Sequence, residues 1–325
     1  MSQTTAAIGQ ESAPYKGIAY LVFGLSIFTL QDVIVRLLSD GYPVHQIVLL
    51  RSLFTLGPAL LIVWLEGGFR LLKTRRPVMQ ALRGSLMFIS FGSYYLALTA
   101  MPLADAVTLF YSCPLFVTLL AVPLLKEKVG ARRLMAVLVG FSGIVVVAQP
   151  SPEGFEPAML LALLAALSYG LSSIMTRKLS STEAGSTLAF YTTVTYLFAS
   201  ALFALVLGDG RYATGGHPSS EFLLRAWAVP SLHDFGLMAL CGLIAAVGFY
   251  CLSQAYRIAS VSAVAPFEYC SMPWAVLWGY LFWAEVPSST TLTGLSLVAG
   301  AGLYIIHREG VRGRRVARGR LRHKI

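Results

Sequence analysis

PAMLLALLAALSYGLSSIMTR, residues 157–177, runs from Pro157 without an acidic residue to a single charge at Arg177. A helix rises about 1.5 Å per residue, so roughly 20 mostly apolar residues cross a hydrocarbon core of about 30 Å. This stretch meets that requirement. Nine further runs of the same kind lie near 17–38, 44–66, 78–100, 103–125, 132–149, 187–207, 233–256, 260–284 and 289–307. They are continuously apolar, whereas a barrel strand alternates over about ten residues, so the spans read as helices. Joins as short as the Met101–Pro102 and Val286–Pro287 corners make the flanking helices antiparallel neighbours. The expected fold class is all-α and polytopic, with ten transmembrane helices.

The whole composition agrees. Of 325 residues, 56% are apolar and 12% charged, about half the charged share of an ordinary soluble domain. Cys113, Cys241, Cys251 and Cys270 all fall inside apolar runs and read as free thiols packing as small apolar groups. The first sixteen residues, through Lys16, are polar, and the first apolar run lacks an A-x-A-like cleavage pattern, so no removable signal peptide is read.

Lys and Arg accumulate in short cytoplasmic loops, which sets the orientation. Sorting alternate connections puts 20 of the 25 basic residues on one side: Lys16, Arg70, Lys73, Arg75, Arg76, Lys126, Lys128, Arg132, Arg133, Arg177, Lys178, Arg257 and eight from Arg308 to Lys324. The other side holds Arg211 and Arg225, both in the long 208–232 connection. Arg36, Arg51 and Arg83 fall within or at the ends of spans. Both termini are therefore expected in the cytoplasm, which requires an even number of spans, in a plasma or inner membrane. The tail from Arg312 to Lys324 reads as a topology anchor on the lipid surface rather than a nucleic-acid site.

Sliding the chain against itself by 158 residues places Gly84 on Gly242, Ala97 on Ala255, Tyr111 on Tyr269 and Glu127 on Glu285. With five spans in each half, the second half enters the membrane from the opposite side. The organisation expected is a cytoplasmic segment 1–16, a first five-helix repeat 17–149, an inverted second repeat 157–307 and a basic cytoplasmic tail 308–325. Inverted repeats of this kind are typical of secondary transporters with a site near the midplane.

Two segments carry a resemblance. Ala97-Leu98-Thr99-Ala100-Met101-Pro102-Leu103-Ala104-Asp105-Ala106-Val107, with Leu124-Leu125-Lys126-Glu127-Lys128, is similar to the first repeat of the EamA family in the drug/metabolite transporter superfamily. Ala255-Tyr256-Arg257-Ile258-Ala259-Ser260-Val261-Ser262-Ala263-Val264, with Ala284-Glu285, resembles the second. The resemblance implies a central cavity lined by spans 1, 3, 4, 6, 8 and 9, with spans 5 and 10 packed together. Within the superfamily the chain looks most like exporters of aromatic amino acids. Export of another small organic solute or a drug-like cation is the alternative, as is a ligand-sensing receptor without transport.

Glu268 is the most informative single residue. It stands about eight residues into the ninth span, where a bare carboxylate costs several kcal/mol unless it faces a cavity, holds a proton or meets a cation. It reads either as the receptor of a substrate ammonium or coupling proton, or as a neutral carboxyl bonded to a neighbouring helix. Pro266 and Pro273 flank it and loosen the backbone ladder. Tyr94, Tyr95, Phe110, Tyr111, Tyr169, Phe249, Tyr250, Phe267, Tyr269 and Trp274 fall near the same level. Their rings could stack a planar substrate or hold its cation. Gln254, Ser172 and Ser253 could add hydrogen bonds or serve as interhelical glue.

Asp32 and Arg36 stand four apart on one face near the outer end of the first span, with His45 and Arg51 opening the second. They read as an outer ion-pair cluster or as snorkelling side chains, the sharper alternative being an extracellular gate. Gly140, Gly143, Gly300 and Gly302 read as close helix contacts. Only one acid is deeply buried and no His pair has metal spacing at membrane depth, which argues against an intramembrane enzyme. No cofactor motif, metal site or nucleotide-binding loop is read. The partners expected are a small-molecule substrate and membrane lipid, and the chain is expected to act as a monomer.

Overall fold

The computed structural model describes residues 14–125, 130–148, 156–179, 183–213, 215–258 and 265–322. Every described element is helical. The first half contains α1 (Pro14–Leu38), α2 (Val44–Gly67), α3 (Pro77–Leu98), α4 (Leu103–Phe110), α5 (Cys113–Leu125) and α6 (Ala131–Ala148). The second contains α7 (Ala158–Leu179), α8 (Gly185–Leu207), α9 (Pro218–Leu224), α10 (Leu232–Ile258), α11 (Ser271–Trp283) and α12 (Ser289–Arg322). Two 3-10 turns, Phe69–Leu72 and Ala265–Cys270, complete the described elements. Pro77 and Pro218 occupy the first turns of α3 and α9, where a missing N–H leaves no bond unmade.

Six of the described helices are long and apolar enough to cross a membrane: Tyr15–Leu38, Val44–Gly67, Leu103–Leu120 (across α4 and α5), Ala158–Thr176, Gly185–Leu207 and Leu232–Leu252. Leu134–Ala148 and Ser289–Ile305 are shorter apolar helices. α3 stands apart because its buried face carries Gln80, Arg83, Ser90, Ser93, Tyr94 and Tyr95.

Two runs read as single spans are interrupted. The 103–125 run breaks at Tyr111–Ser112, because Pro114 has no N–H to return to the carbonyl of Phe110. The 260–284 run enters α11 through the Ala265–Cys270 turn, while 259–264 lie outside the described residues. The 158-residue offset carries Tyr111–Ser112 onto Tyr269–Cys270, so the two breaks are repeat mates. The mates meet: the rings of Tyr111 and Tyr269 lie 5.4 Å apart.

Packing repeats with the sequence. α1 lies along α10 and α3 along α7, α2 faces α8, and α6 faces α12. Exchanging the halves converts the first pairing into the second and returns the last two to themselves. Gly84 and Gly242 play matched parts. A Cβ on Gly84 would overlap the Thr195 side chain of α8, and one on Gly242 would lie 2.5 Å from the Arg51 carbonyl of α2. At Gly143 an added Cβ would lie 2.8 Å from Leu297 Cβ and 2.9 Å from the Gly294 carbonyl of α12. Gly300 does not share this role: nothing lies within 4 Å of its Cβ position.

In lipid, close contact and interhelical hydrogen bonds replace the hydrophobic force between helices, each bond contributing about 0.5–2 kcal/mol. Ser90 Oγ donates to the Ala165 carbonyl at 2.8 Å and Tyr196 OH to that of Met87 at 2.9 Å. Arg83 Nη2 donates to the Leu188 carbonyl at 2.6 Å and to Thr192 Oγ1 at 2.7 Å.

Candidate functional site

A column of rings runs through the interior. Tyr95 and Tyr94 on α3 lie 6.0 Å apart, and Tyr94 lies 5.1 Å from Phe110 on α4. Phe110 is 5.5 Å from Tyr169 on α7 and 6.0 Å from Tyr111, which reaches Tyr269. The column thus crosses from the first half to the second at the two broken segments. Tyr111 OH donates to the Glu268 carbonyl at 3.0 Å and bonds to Ser271 Oγ. The Glu268 carboxylate lies within electrostatic reach of Tyr111, Tyr169, Tyr269 and Cys113. Glu268 is half-buried. A ring wall with one acid beside it can hold a planar group by its faces and a cation at the acid.

The other end of the column is polar. Tyr94 OH donates to Asp32 Oδ2 at 3.1 Å, and Arg51 Nη1 donates to Tyr95 OH at 2.9 Å. With its amide turned so that every partner is satisfied, Gln31 accepts from Tyr95 OH at 2.6 Å and from Arg51 Nη1 at 3.1 Å. Its nitrogen then donates to the Cys241 carbonyl of α10 at 3.1 Å.

Arg36 turns away from this cluster, and the reading of Asp32 and Arg36 as one ion-pair group is corrected here. Its Nη1 and Nη2 donate to Glu285 at 3.1 and 2.6 Å, and its guanidinium lies 4.2 Å over the Trp283 ring. Glu285 Oε2 also accepts from the Leu103 amide at 3.0 Å. The geometry has a local cause. Ala284 closes α11 in the left-handed region at φ 54°, and the amide of Glu285 returns to the Gly279 carbonyl at 3.1 Å. That reversal aims Glu285 back at α1 and α4.

Around the same end the 208–232 connection caps the bundle. Trp227 Nε1 donates to His45 Nδ1 at 2.8 Å, Arg225 Nη1 to the Ser39 carbonyl at 2.6 Å, and Tyr42 OH to Asp234 at 2.7 Å. His45 is buried under this cap. Arg51 is buried at 3% exposure and does not snorkel. At the opposite end Thr74 Oγ1 donates to Glu183 at 2.7 Å, and Tyr191 OH to the Leu72 carbonyl at 2.8 Å.

The structure therefore brings Tyr94, Tyr95, Tyr111, Tyr169, Tyr269 and Glu268 into one connected region. Trp274 instead stacks on Trp278 at 5.7 Å, and Trp278 donates to Thr29 at 3.1 Å. Gln254 is buried on α10 with its side-chain oxygen unbonded. Tyr250 borders a separate recess with Thr55, Ser186, Thr193 and Phe249. Ser172 Oγ donates to the Arg83 carbonyl at 3.3 Å, while the Ser253 side chain and Glu127 lie outside the described residues. Sequence reasoning did not single out Gln31, and it allowed Arg51 to snorkel. The signal for Arg51 was its position some seven residues into an apolar run. Among the described residues no group of His, Cys, Asp and Glu is arranged to hold a metal ion.

Known proteins agree with a membrane carrier. S-adenosylmethionine uptake transporter of Rickettsia bellii is 28% identical over 90% of this chain and 94% of its own. Riboflavin transporter of Rhizobium johnstonii is 31% identical over 77% of each chain, and pseudopaline exporter CntI of Pseudomonas aeruginosa 26% over 88% and 94%. A crystal structure of 19% identity superposes with a TM-score of 0.60 over 92% of this chain and 98% of its own, which supports the fold. The profile of the EamA-like transporter family matches twice, over residues 15–149 and 156–307, so the chain is a multi-pass membrane protein belonging to the EamA-like transporter family.

Proposed function

We propose that this protein carries a small metabolite with a planar ring through the space beside the Tyr94–Tyr269 column, by alternating access of two inverted five-helix halves. The observation that carries the reading is the column itself, which joins the halves at their matched breaks and ends at Glu268. Ten spans follow when the short apolar helices, α3 and the broken 260–284 run are counted with the long ones. The basic asymmetry then sets both termini in the cytoplasm of a cell whose inner or plasma membrane holds the chain.

Sequence alone favours export of aromatic amino acids, and the ring column suits them. The relatives shift the substrate class toward larger ring-bearing metabolites, since S-adenosylmethionine and riboflavin both carry heteroaromatic systems. Uptake is the direction we adopt, following the S-adenosylmethionine uptake transporter, although the pseudopaline exporter matches over a similar share of the chain. The Arg36–Glu285 pair acts as the outer gate, in its closed position.

Glu268→Gln tests the site. It keeps shape and hydrogen bonding but removes ionisation, so a substrate cation or coupling proton would lose its partner. The variant should insert normally and lose most flux, read as uptake of labelled S-adenosylmethionine into vesicles. Normal flux at every pH from a well-inserted variant would reduce Glu268 to helix glue.

A further inference from the structure

Arg51 carries a positive charge in a dry place. It is 3% exposed, its guanidinium lies 5.4 Å from the Tyr196 ring and 6.0 Å from that of Tyr95, and its Nε has no acceptor. Among the described residues no carboxylate stands at ion-pair distance from it. A buried charge without a partner costs several kcal/mol. Arg51 acts electrostatically on Asp32, whose carboxylate is engaged by Tyr94. The groups facing Asp32 are Tyr94 and Tyr95 from α3, Arg51 from α2 and Cys241 from α10. Glu268, on the turn that also packs against α1, lies on the Tyr111 and Tyr169 side. One cation thus stands in a site that accommodates one negative charge, with a free N–H on its guanidinium fork.

We propose that Asp32 and Arg51 form a charge-exchange site, in which a substrate carboxylate replaces ionised Asp32 as the counter-charge of Arg51 while Asp32 takes up a proton from bulk water. The carboxylate accepts from the guanidinium fork, including the orphaned Nε–H, which is the geometry that arginine offers to carboxylates. One proton then travels with each carboxylate, making the cycle a symport. The inference rests on the ring column being the substrate site and adds the group that reads the rest of the molecule.

Proton and carboxylate bind together, so affinity for a carboxylate-bearing substrate falls as pH rises past the titration of Asp32, by roughly tenfold per pH unit for one linked proton. The test is equilibrium binding to purified protein in lipid nanodiscs from about pH 5 to 8. Its two probes are S-adenosylmethionine and 5′-methylthioadenosine, which keeps the ring and lacks the carboxylate. The wild-type protein should show the slope for the first probe and a flat profile for the second. Asp32→Asn should bind S-adenosylmethionine with a flat profile, and Arg51→Gln should lose that ligand while retaining 5′-methylthioadenosine. Arg51→Lys, which keeps the charge without the fork, should recover part of the binding with the slope intact.

Equal slopes for both probes, or a slope that survives in Asp32→Asn, overturns the proposal while leaving the ring site standing. Loss of both probes in Arg51→Gln, with the protein monodisperse, assigns Arg51 a structural role and overturns it too. Binding of neither probe by the wild-type protein would remove the ring site itself and this inference with it.

Discussion

Replacing Arg36 with glutamine should open the end of the bundle that the Arg36–Glu285 pair closes. Glu285 receives two bonds from Arg36, at 3.1 and 2.6 Å, and one from the Leu103 amide at 3.0 Å. The guanidinium also stacks 4.2 Å over Trp283. The two side chains are 13% and 22% exposed, so water screens the pair only in part. Hydrogen bonds to charged groups contribute about 1.5–3 kcal/mol each, and partial solvation brings the loss of both to about 2–4 kcal/mol. A loss of about 3 kcal/mol shifts the closed-to-open ratio by roughly 100- to 200-fold. Ala106, one turn further into α4 and fully buried, reports the opening when replaced by cysteine. A membrane-impermeant thiol reagent added on the side of the 208–232 connection should label Ala106→Cys faster once Arg36→Gln is present. Arg36→Gln alone controls for the native cysteines. Unchanged labelling would show that the pair is a static brace and refute the gate.

Three further substitutions test the packing and the turn behind that gate. Gly242→Ala forces a Cβ against the Arg51 carbonyl and Phe54 of α2, at 2.5 and 2.6 Å, and should destabilise by about 1–3 kcal/mol. Gly57→Ala, with nothing within 4 Å, should be neutral or slightly stabilising; thermal unfolding in detergent separates them, and equal midpoints would contradict the close contact. Ala284→Gly relieves a left-handed alanine at φ 54°, a strain of about 1–2 kcal/mol set against a backbone entropy cost of about 0.5–1, so the midpoint should rise slightly while a fall would contradict the strained cap.

The sequence spoke most clearly where chemistry is set by solvent. Continuous apolar runs such as 157–177 read directly as helices, because lipid leaves the backbone no other way to satisfy itself. The 158-residue offset identified Tyr111 and Tyr269 as repeat mates, and the structure adds that they meet, as duplicated halves about a common axis allow. Tertiary choices were less legible. Arg36 has Asp32 four residues away on its own helix, yet pairs with Glu285 across 249 positions. Helical spacing reports neighbours on one helix and says nothing of which acid a distant turn will deliver. The break at Tyr111–Ser112 was signalled by Pro114 but hidden inside an otherwise unbroken apolar run. Of the readings open for Arg51, snorkelling fails, because a phenol and a glutamine wait for it in the interior.

The central claim is that this chain moves a ring-bearing small metabolite across a membrane, and counterflow in proteoliposomes tests it most directly. Vesicles loaded with unlabelled compound are diluted into trace label, with S-adenosylmethionine, riboflavin, phenylalanine and serine run in parallel. The account predicts a transient, saturable overshoot for at least one ring-bearing compound, larger than any for serine and lost in Glu268→Gln. No overshoot with any compound, or equal overshoots for serine and phenylalanine, would contradict it.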